Sequence, residues 1–351
     1  MWESALQAVW APPVAGLAGG LVLGLAARRG RFCTLGAIED AVYGQDWTRI
    51  RMWAFALGVA IAGVFIFAAA GLVDRDASLY VQVQWNPVSA VLGGLLFGYG
   101  MAIAGNCGYG ALARLGGGDL RSLVIVVVMG VSAYLVLSGP LAPVRVMLFP
   151  TDEGSGSASG YADLISSVTR LPTWVPASAI ALAIGVWALS GITLRRRASL
   201  ILWSGAVGLA IVSGWVATSN IAALSFEIVA IESHSFTAPV GETLLYTMTG
   251  SAGGISFSVG SVLGVILGAM IGSLSKGQFR WEACDDPGEL GRQILGGAMM
   301  GIGGVLALGC SVGQGLTAFS TLAYSAPVVL SAIFVGAVIG LRQLVRGFAP
   351  G

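Results

Sequence analysis

The sequence predicts an all-α polytopic membrane protein. Of its 351 residues, 56% are hydrophobic and only 10% are charged, whereas a soluble globular protein carries roughly 25% charged residues. The formal net charge is only +1. The chain therefore lacks the basic surplus with which a nucleic-acid-binding protein neutralises phosphates. We expect the protein to be surrounded by membrane lipid and to bind no nucleic acid.

Nine apolar segments approach the length of about 20 residues that a helix needs to cross a bilayer. They lie near residues 14–28, 49–73, 87–104, 120–139, 173–194, 198–219, 256–275, 291–308 and 325–346. The segment 151–172 is polar and rich in Gly and Ser, which is typical of an exposed linker. The sequence thus predicts a single membrane domain with two halves, 1–150 and 198–351. Residues 151–197 hold the outer linker and a connecting span.

The positive charges predict the orientation of these spans. Cytoplasmic connections carry an excess of Lys and Arg. If the N-terminus lies outside, 15 of the 18 basic residues fall on the cytoplasmic side, and the other three are Arg75, Arg145 and Arg170. We therefore expect the N-terminus outside and the C-terminus in the cytoplasm.

Two segments of the chain repeat each other at a constant offset of 203 residues. Residues 92–110 read LGGLLFGYGMAIAGNCGYG, and residues 295–313 read LGGAMMGIGGVLALGCSVG. The match aligns Cys107 with Cys310, and the chain has only four cysteines. The third span runs inward and the eighth runs outward, so the repeat is inverted, in a 4+1+4 arrangement of spans. Inverted repeats are typical of transporters with a binding site near the middle of the bilayer.

Each repeated cysteine lies in a glycine-rich break after a span. The first break contains Gly105, Asn106, Cys107, Gly108 and Gly110. The second contains Gly309, Cys310, Ser311, Gly313, Gln314 and Gly315. Irregular backbone at membrane depth is tolerated where it is buried in protein or lines a polar path. Short helices that restart near 109–115 and 313–322 would direct their N-terminal N–H groups at that path, which suits an anion.

The remaining candidate groups carry weaker predictions. Cys33 follows the first span, and either a functional or a packing role is open for it. The inverted counterpart of residues 28–48 is the outer stretch 220–250, which contains His234, the only histidine. We expect His234 to be a solvated loop residue and Cys284 to have no role. With no CxxC pair and no nucleotide-binding motif, neither a metal nor a cofactor is expected.

Three motifs together resemble the YeeE/YedE family of sulfur-compound transporters. They are GRFCTLGAIED (30–40), LGGLLFGYGMAIAGNCGYGAL (92–112) and GGVLALGCSVGQGLTAFS (303–320). The resemblance implies an hourglass-shaped protein of nine spans, with short re-entrant helices that meet centrally. It implies that this protein lies in the bacterial inner membrane and takes up thiosulfate for sulfur assimilation. It also implies a path lined by Cys310 nearest the outer entry, Cys107 further in and Cys33 towards the cytoplasm. Some members work with a small TusA-like sulfur carrier, which is therefore a possible partner.

Two alternatives remain open from the sequence. One is a transporter of another sulfur or selenium species. The other is an enzyme, a membrane sulfurtransferase or thiol oxidoreductase that forms a persulfide on Cys107 or Cys310. Non-enzymatic transport is the prediction, because a protonated thiol offers a weak donor and a polarisable sulfur without charge. Weak sites of this kind let an ion leave as well as enter.

Overall fold

The computed structural model describes residues 9–150, 160–225, 229–250, 254–283 and 286–347. Within these ranges the regular elements are all helices. In chain order they are α1 (Ala11–Arg29), α2 (Thr34–Val42), α3 (Thr48–Ala69), α4 (Leu79–Gln82), α5 (Pro87–Ala104), α6 (Gly108–Gly116), α7 (Leu120–Leu137), α8 (Ala142–Leu148), α9 (Tyr161–Thr169), α10 (Trp174–Leu189), α11 (Ile192–Arg196), α12 (Ala198–Leu224), α13 (Ala238–Thr249), α14 (Phe257–Leu274), α15 (Pro287–Leu306), a π-helix (Gly313–Ala318) and α16 (Ser325–Gly347).

The predicted class, an all-α polytopic membrane protein, is confirmed. Seven segments of the described chain are long and apolar enough to cross a membrane, and they contain α1, α3, α5, α7, α12, α14 and α16. The outer surface of the helices carries large apolar side chains such as Leu182, Leu202 and Leu209, each more than half exposed. Surfaces of this kind are suited to lipid.

Two of the nine predicted spans are not among these seven helices. Helix α10 has only 16 residues. Helix α15 has 20 residues, but Glu289, Arg292 and Gln293 occupy its first turns, and glycines lower the hydropathy of the rest. Its apolar part from Ile294 to Leu306 is about 20 Å long at 1.5 Å per residue. The count of nine spans therefore stays a prediction.

The repeated glycines lie where helices α5 and α15 cross in antiparallel directions. A Cβ atom on Gly93 would lie 2.7 Å from the carbonyl oxygen of Gly303, and one on Gly303 would lie 2.7 Å from that of Gly93. Gly100 and Gly296 make the same reciprocal contact, at 2.7 and 2.6 Å. Adding or subtracting 203 converts one pair into the other. These positions leave no space for a side chain, so the backbones of α5 and α15 approach each other closely.

Helices α1 and α14 pack in parallel and define two ends of the molecule. Gly16 faces Phe257 at the start of α14, Gly24 faces Val265 and Ala269 further along, and Gly272 near its end faces Arg28. Ser258 and Gly272 are 14 residues apart on one helix, a distance of about 21 Å. Arg28 packs against Gly272, so the residues around Ser258 and the residues around Arg28 lie on opposite sides of the protein.

The expectation that His234 is a solvated loop residue is wrong. Its side chain is 0% exposed, and its Nδ1 lies 2.6 Å from the Ser261 hydroxyl. Residues 229–237 fold back against α1 and α14, so the ring packs near Gly19 instead of facing solvent. The other loop residue with an expectation, Cys284, lies outside the described residues.

Candidate functional site

The first glycine-rich break positions Cys107 at the start of a short helix. Gly105 ends α5 with a φ of +77°, a left-handed conformation that favours glycine. Cys107 then caps α6, which begins at Gly108, and its sulfur accepts the N–H of Gly110 at 3.4 Å. Its side chain is 0% exposed. The sulfur is therefore buried and fixed by the backbone of the helix that follows.

The second break holds Cys310 in a related way. Gly309 has a φ of +156°, and the sulfur of Cys310 accepts the N–H of Gly313 at 3.3 Å. It also accepts the N–H of Phe236 at 3.3 Å. The residue is 1% exposed. Each repeated cysteine thus binds the N–H three residues later, so these N–H groups face sulfur.

A π-helix follows Cys310 where a short α-helix was expected. Gly313, Gln314 and Gly315 all lie in its Gly313–Ala318 range. Gln314 donates from Nε2 to the carbonyl oxygen of Ala307 at 2.8 Å and accepts from Ser325 at 3.4 Å. The Gln314 side chain therefore satisfies a carbonyl that the break leaves without a helical partner. π-helices are rare and often occur at functional sites.

Hydroxyl groups connect the surroundings of the two buried cysteines. The sulfur of Cys107 lies 3.9 Å from the Thr34 hydroxyl. Thr34 donates to the Ser311 hydroxyl at 3.1 Å, and Ser311 adjoins Cys310 in the chain. On the other side of Cys310, the Ser235 hydroxyl lies 3.8 Å from its sulfur. These groups form a buried row of thiols and hydroxyls that runs from Ser235 past Cys310, Ser311 and Thr34 to Cys107.

A cavity that we call the Cys33 cavity is lined by the chain neighbours of Thr34 and Cys107 at one end of this row. Its volume is about 360 Å³. Cys33, half-buried before α2, lines it together with Gly105 and Asn106. The Asn106 side chain is 3% exposed, and its Oδ1 has no hydrogen-bond partner among the described residues. The cavity also contains five basic side chains and one acidic one, and these are Arg28, Arg31, Arg49, Arg114, Lys276 and Glu39.

The other end lies against a second cavity, which we call the Glu232 cavity. Its volume is about 410 Å³, and its walls include Tyr80, Ser235 and Gly309. The charged residues in its lining are Arg145, Glu232 and Glu242. Ser258 also lines this cavity, so it is at the opposite end of the molecule from Arg28 and the Cys33 cavity.

Sequence reasoning did not single out Thr34, Ser235 or Phe236. Thr34 lies within one of the three motifs, and Ser235 and Phe236 lie within the expected counterpart of the Cys33 region. One signal could have found them, because Thr34 and Thr237 show the same offset of 203 as the repeated cysteines. Thr237 directly follows Phe236 and lies two residues after Ser235, so this match falls beside the residues that contact Cys310.

The described residues contain three free thiols, Cys33, Cys107 and Cys310. Within the same ranges, no group of three or more His, Cys, Asp or Glu side chains could hold a metal ion. The arrangement offers uncharged, polarisable and hydrogen-bonding groups between two cavities that each contain charged side chains. Such groups can bind an anion weakly along a path.

Comparison with known proteins finds that the chain is similar to proteins named for the transport of sulfur compounds. A family model described as sulphur transport matches residues 29–339. The chain is 28% identical over 317 residues to thiosulfate transporter TsuA of Spirochaeta thermophila, covering 88% of this chain and 92% of the relative. It is 27% identical over 341 residues to thiosulfate transporter TsuA of Escherichia coli, covering 92% of each. A probable transporter YedE of Salmonella typhimurium is 29% identical over 95 residues, covering 27% of this chain and 22% of the relative.

Proposed function

Because the chain belongs to the sulphur transport family, we propose that it takes up thiosulfate across the bacterial inner membrane for sulfur assimilation. The observation that carries this proposal is the row of thiols and hydroxyls between two cavities on opposite sides. Relatives named thiosulfate transporters, which match most of the chain, support the choice of substrate.

The ion enters through the Glu232 cavity and passes Cys310, then Cys107, then Cys33. Thiosulfate is a dianion with a soft terminal sulfur. A neutral thiol can donate a weak hydrogen bond to that sulfur and contact it with its own polarisable sulfur. A thiolate would repel the ion, so the cysteines remain protonated while it passes. No single site binds the ion strongly, which allows its release.

The distribution of charge supports the direction of this path. The Cys33 cavity carries five basic side chains, whereas the Glu232 cavity carries only Arg145. By the positive-inside rule, the Cys33 cavity faces the cytoplasm. There the basic groups attract the emerging anion, and a TusA-like sulfur carrier would meet it.

We also infer that the two halves form an inverted repeat. Supporting this are the reciprocal contacts of Gly93 with Gly303 and of Gly100 with Gly296, which exchange under the offset of 203. The matching sulfur contacts of Gly110 and Gly313 support it further. In this arrangement the site lies where the halves meet.

Uptake by purified protein in proteoliposomes tests the function. Thiosulfate labelled at one sulfur atom and thiosulfate labelled at the other should enter at the same rate, because a transporter delivers both atoms together. Sulfate should compete less than unlabelled thiosulfate, since it lacks the terminal sulfur. Entry of one sulfur label without the other would instead support the sulfurtransferase alternative.

A further inference from the structure

The Glu232 cavity has a charge that conflicts with the entry of an anion. It contains two carboxylates, Glu232 and Glu242, against the single cation Arg145. Within the described chain, neither carboxylate forms an ion pair with a basic group within 4.0 Å. An ionised pair here would repel a dianion at the point where the proposed path begins.

Glu232 is held at the wall of this cavity by neutral groups. The Ser258 hydroxyl lies 3.1 Å from both of its carboxylate oxygens. The backbone of Glu232 is fixed by Thr218, whose hydroxyl donates to its carbonyl oxygen at 2.8 Å. Glu232 is three residues before Ser235, which contacts Cys310. The carboxyl group therefore lies beside the start of the thiol and hydroxyl row.

The surroundings of Glu232 favour its protonated form near neutral pH. Burial, together with the negative charge of Glu242, raises the pKa of Glu232 to about 7, against the smaller opposing effect of the Ser258 hydrogen bond. Below this pH the carboxyl group is mostly neutral, and above it the group is mostly charged. Small changes in external pH therefore change the charge that an entering anion meets.

Three other titratable groups line the cavity of Glu232, and these are Glu242 on α13, Arg145 on α8 and Tyr80 on α4. Two more lie near the segment that contains Glu232: Cys310, whose sulfur contacts Phe236, and His234 within the segment itself. Burial lowers the pKa of His234 to about 3 and raises that of Tyr80, so both stay neutral between roughly pH 6 and 8.

Uptake of a dianion also requires charge compensation. An inside-negative membrane potential opposes the entry of each negative charge into a cell. A dianion meets this opposition twice, and each proton that enters with it offsets one charge. Hydroxyl and thiol groups both donate and accept hydrogen bonds, so the row from Ser235 to Thr34 can pass a proton as well as hold an anion.

We propose that Glu232 is a proton-binding site that couples thiosulfate entry to proton entry. The carboxylate takes a proton from outside, the neutral cavity admits the dianion, and the proton leaves on the cytoplasmic side. The transported complex then carries one negative charge instead of two. The inference rests on the proposed function and adds the ion to which transport is coupled.

Proteoliposomes containing a pH-sensitive dye and supplied with labelled thiosulfate test this coupling. The wild-type protein should acidify the interior during uptake. Its initial rate should fall about tenfold between external pH 6 and 8, as the protonated fraction of a group with a pKa of about 7 does. Glu232→Gln should keep uptake down a thiosulfate gradient but lose both the pH dependence and the acidification. Asp76→Asn, at an exposed carboxylate outside the cavity, should match the wild type.

Ser258→Ala provides a second variant in which Glu232 is retained. Removal of the hydroxyl takes away a hydrogen bond to the charged form, so the midpoint of the pH profile should move to higher pH. The inference is overturned if Glu232→Gln keeps the wild-type pH profile and acidification, or if the wild type transports without either. Absence of thiosulfate uptake by the wild type at every pH would overturn the proposed function itself, and the inference with it.

Discussion

Thr34 and Ser311 share a hydrogen bond of 3.1 Å although 277 positions separate them in the chain. Thr34 begins α2, and Ser311 directly follows Cys310. Both side chains are buried. The bond joins the polar groups around Cys107 to those around Cys310, so it links the two parts of the proposed path. This pairing is specific, because a buried hydroxyl without a partner at either position would destabilise the folded protein.

Replacing Thr34 with Val should slow thiosulfate uptake. Val has nearly the same shape but lacks the hydroxyl that contacts both Ser311 and Cys107. One hydrogen bond is worth about 1 kcal/mol, so we expect the initial rate to fall about fivefold at unchanged protein level. Ser331→Ala, which removes a hydroxyl bonded only to Pro327 within α16, is the control. Equal uptake rates for Thr34→Val and this control would exclude the hydroxyl from transport.

Cys107→Ala and Cys310→Ala should each abolish growth on thiosulfate as the sole sulfur source. Both sulfurs are buried, lie on the row of polar groups and accept backbone N–H groups. Protein level in the membrane should be measured alongside growth. Cys33→Ala should have an intermediate effect, because Cys33 lines a cavity that is also lined by basic side chains.

Cys284→Ala is the control for these variants and should grow normally. Cys107→Ser and Cys310→Ser give a finer comparison, because Ser keeps a donor but lacks the polarisable sulfur. Normal growth of both alanine variants would return Cys107 and Cys310 to a packing role.

Gly303→Ala should destabilise the protein, whereas Gly185→Ala should not. A Cβ on Gly303 would lie 2.5 Å from the backbone nitrogen of Phe97, but one on Gly185 would meet nothing within 4 Å. Overpacking of this kind costs about 1–3 kcal/mol. Removing a glycine from an open helical position gains about 0.5–1 kcal/mol. Thermal unfolding in detergent should therefore shift to lower temperature for Gly303→Ala only.

The prediction that Gly351 lies in the cytoplasm can be tested with reporter fusions. A fluorescent protein that is active only inside should be active at the C-terminus, and a phosphatase that is active only outside should not. The reason is the concentration of basic side chains at the Cys33 cavity and on the connections of the same side. An active phosphatase would reverse the direction of the proposed path.

The sequence was most informative where local chemistry determines local structure. The left-handed turn at Gly105 and the irregular backbone at Gly309 follow from glycine spacing. The membrane class follows from composition, because lipid requires long apolar helices. Burial of Cys107 and Cys310 is consistent with their position beside these breaks.

Features that depend on distant contacts could not be obtained in this way. Spacing does not reveal that Thr34 meets Ser311 or that Phe236 donates to Cys310. The prediction for His234 failed because a short polar loop looks the same in sequence whether it faces water or folds inward. In α15, glycines and polar residues both lower the average hydropathy. The average therefore does not distinguish glycines that pack against α5 from polar residues that avoid lipid.

The pairing of α1 with α14 limits how the protein can move. The two helices come from different halves, and at Gly16, Gly20 and Gly24 no side chain separates their backbones. If one half rocked against the other as a rigid body, the close contact between α1 and α14 would have to separate. The close contact between α5 and α15 would have to separate as well. In the proposed function, passage of the ion would then rely on small local rearrangements near Cys107 and Cys310. Its kinetics should resemble those of a narrow gated pore more than those of a two-state rocking carrier.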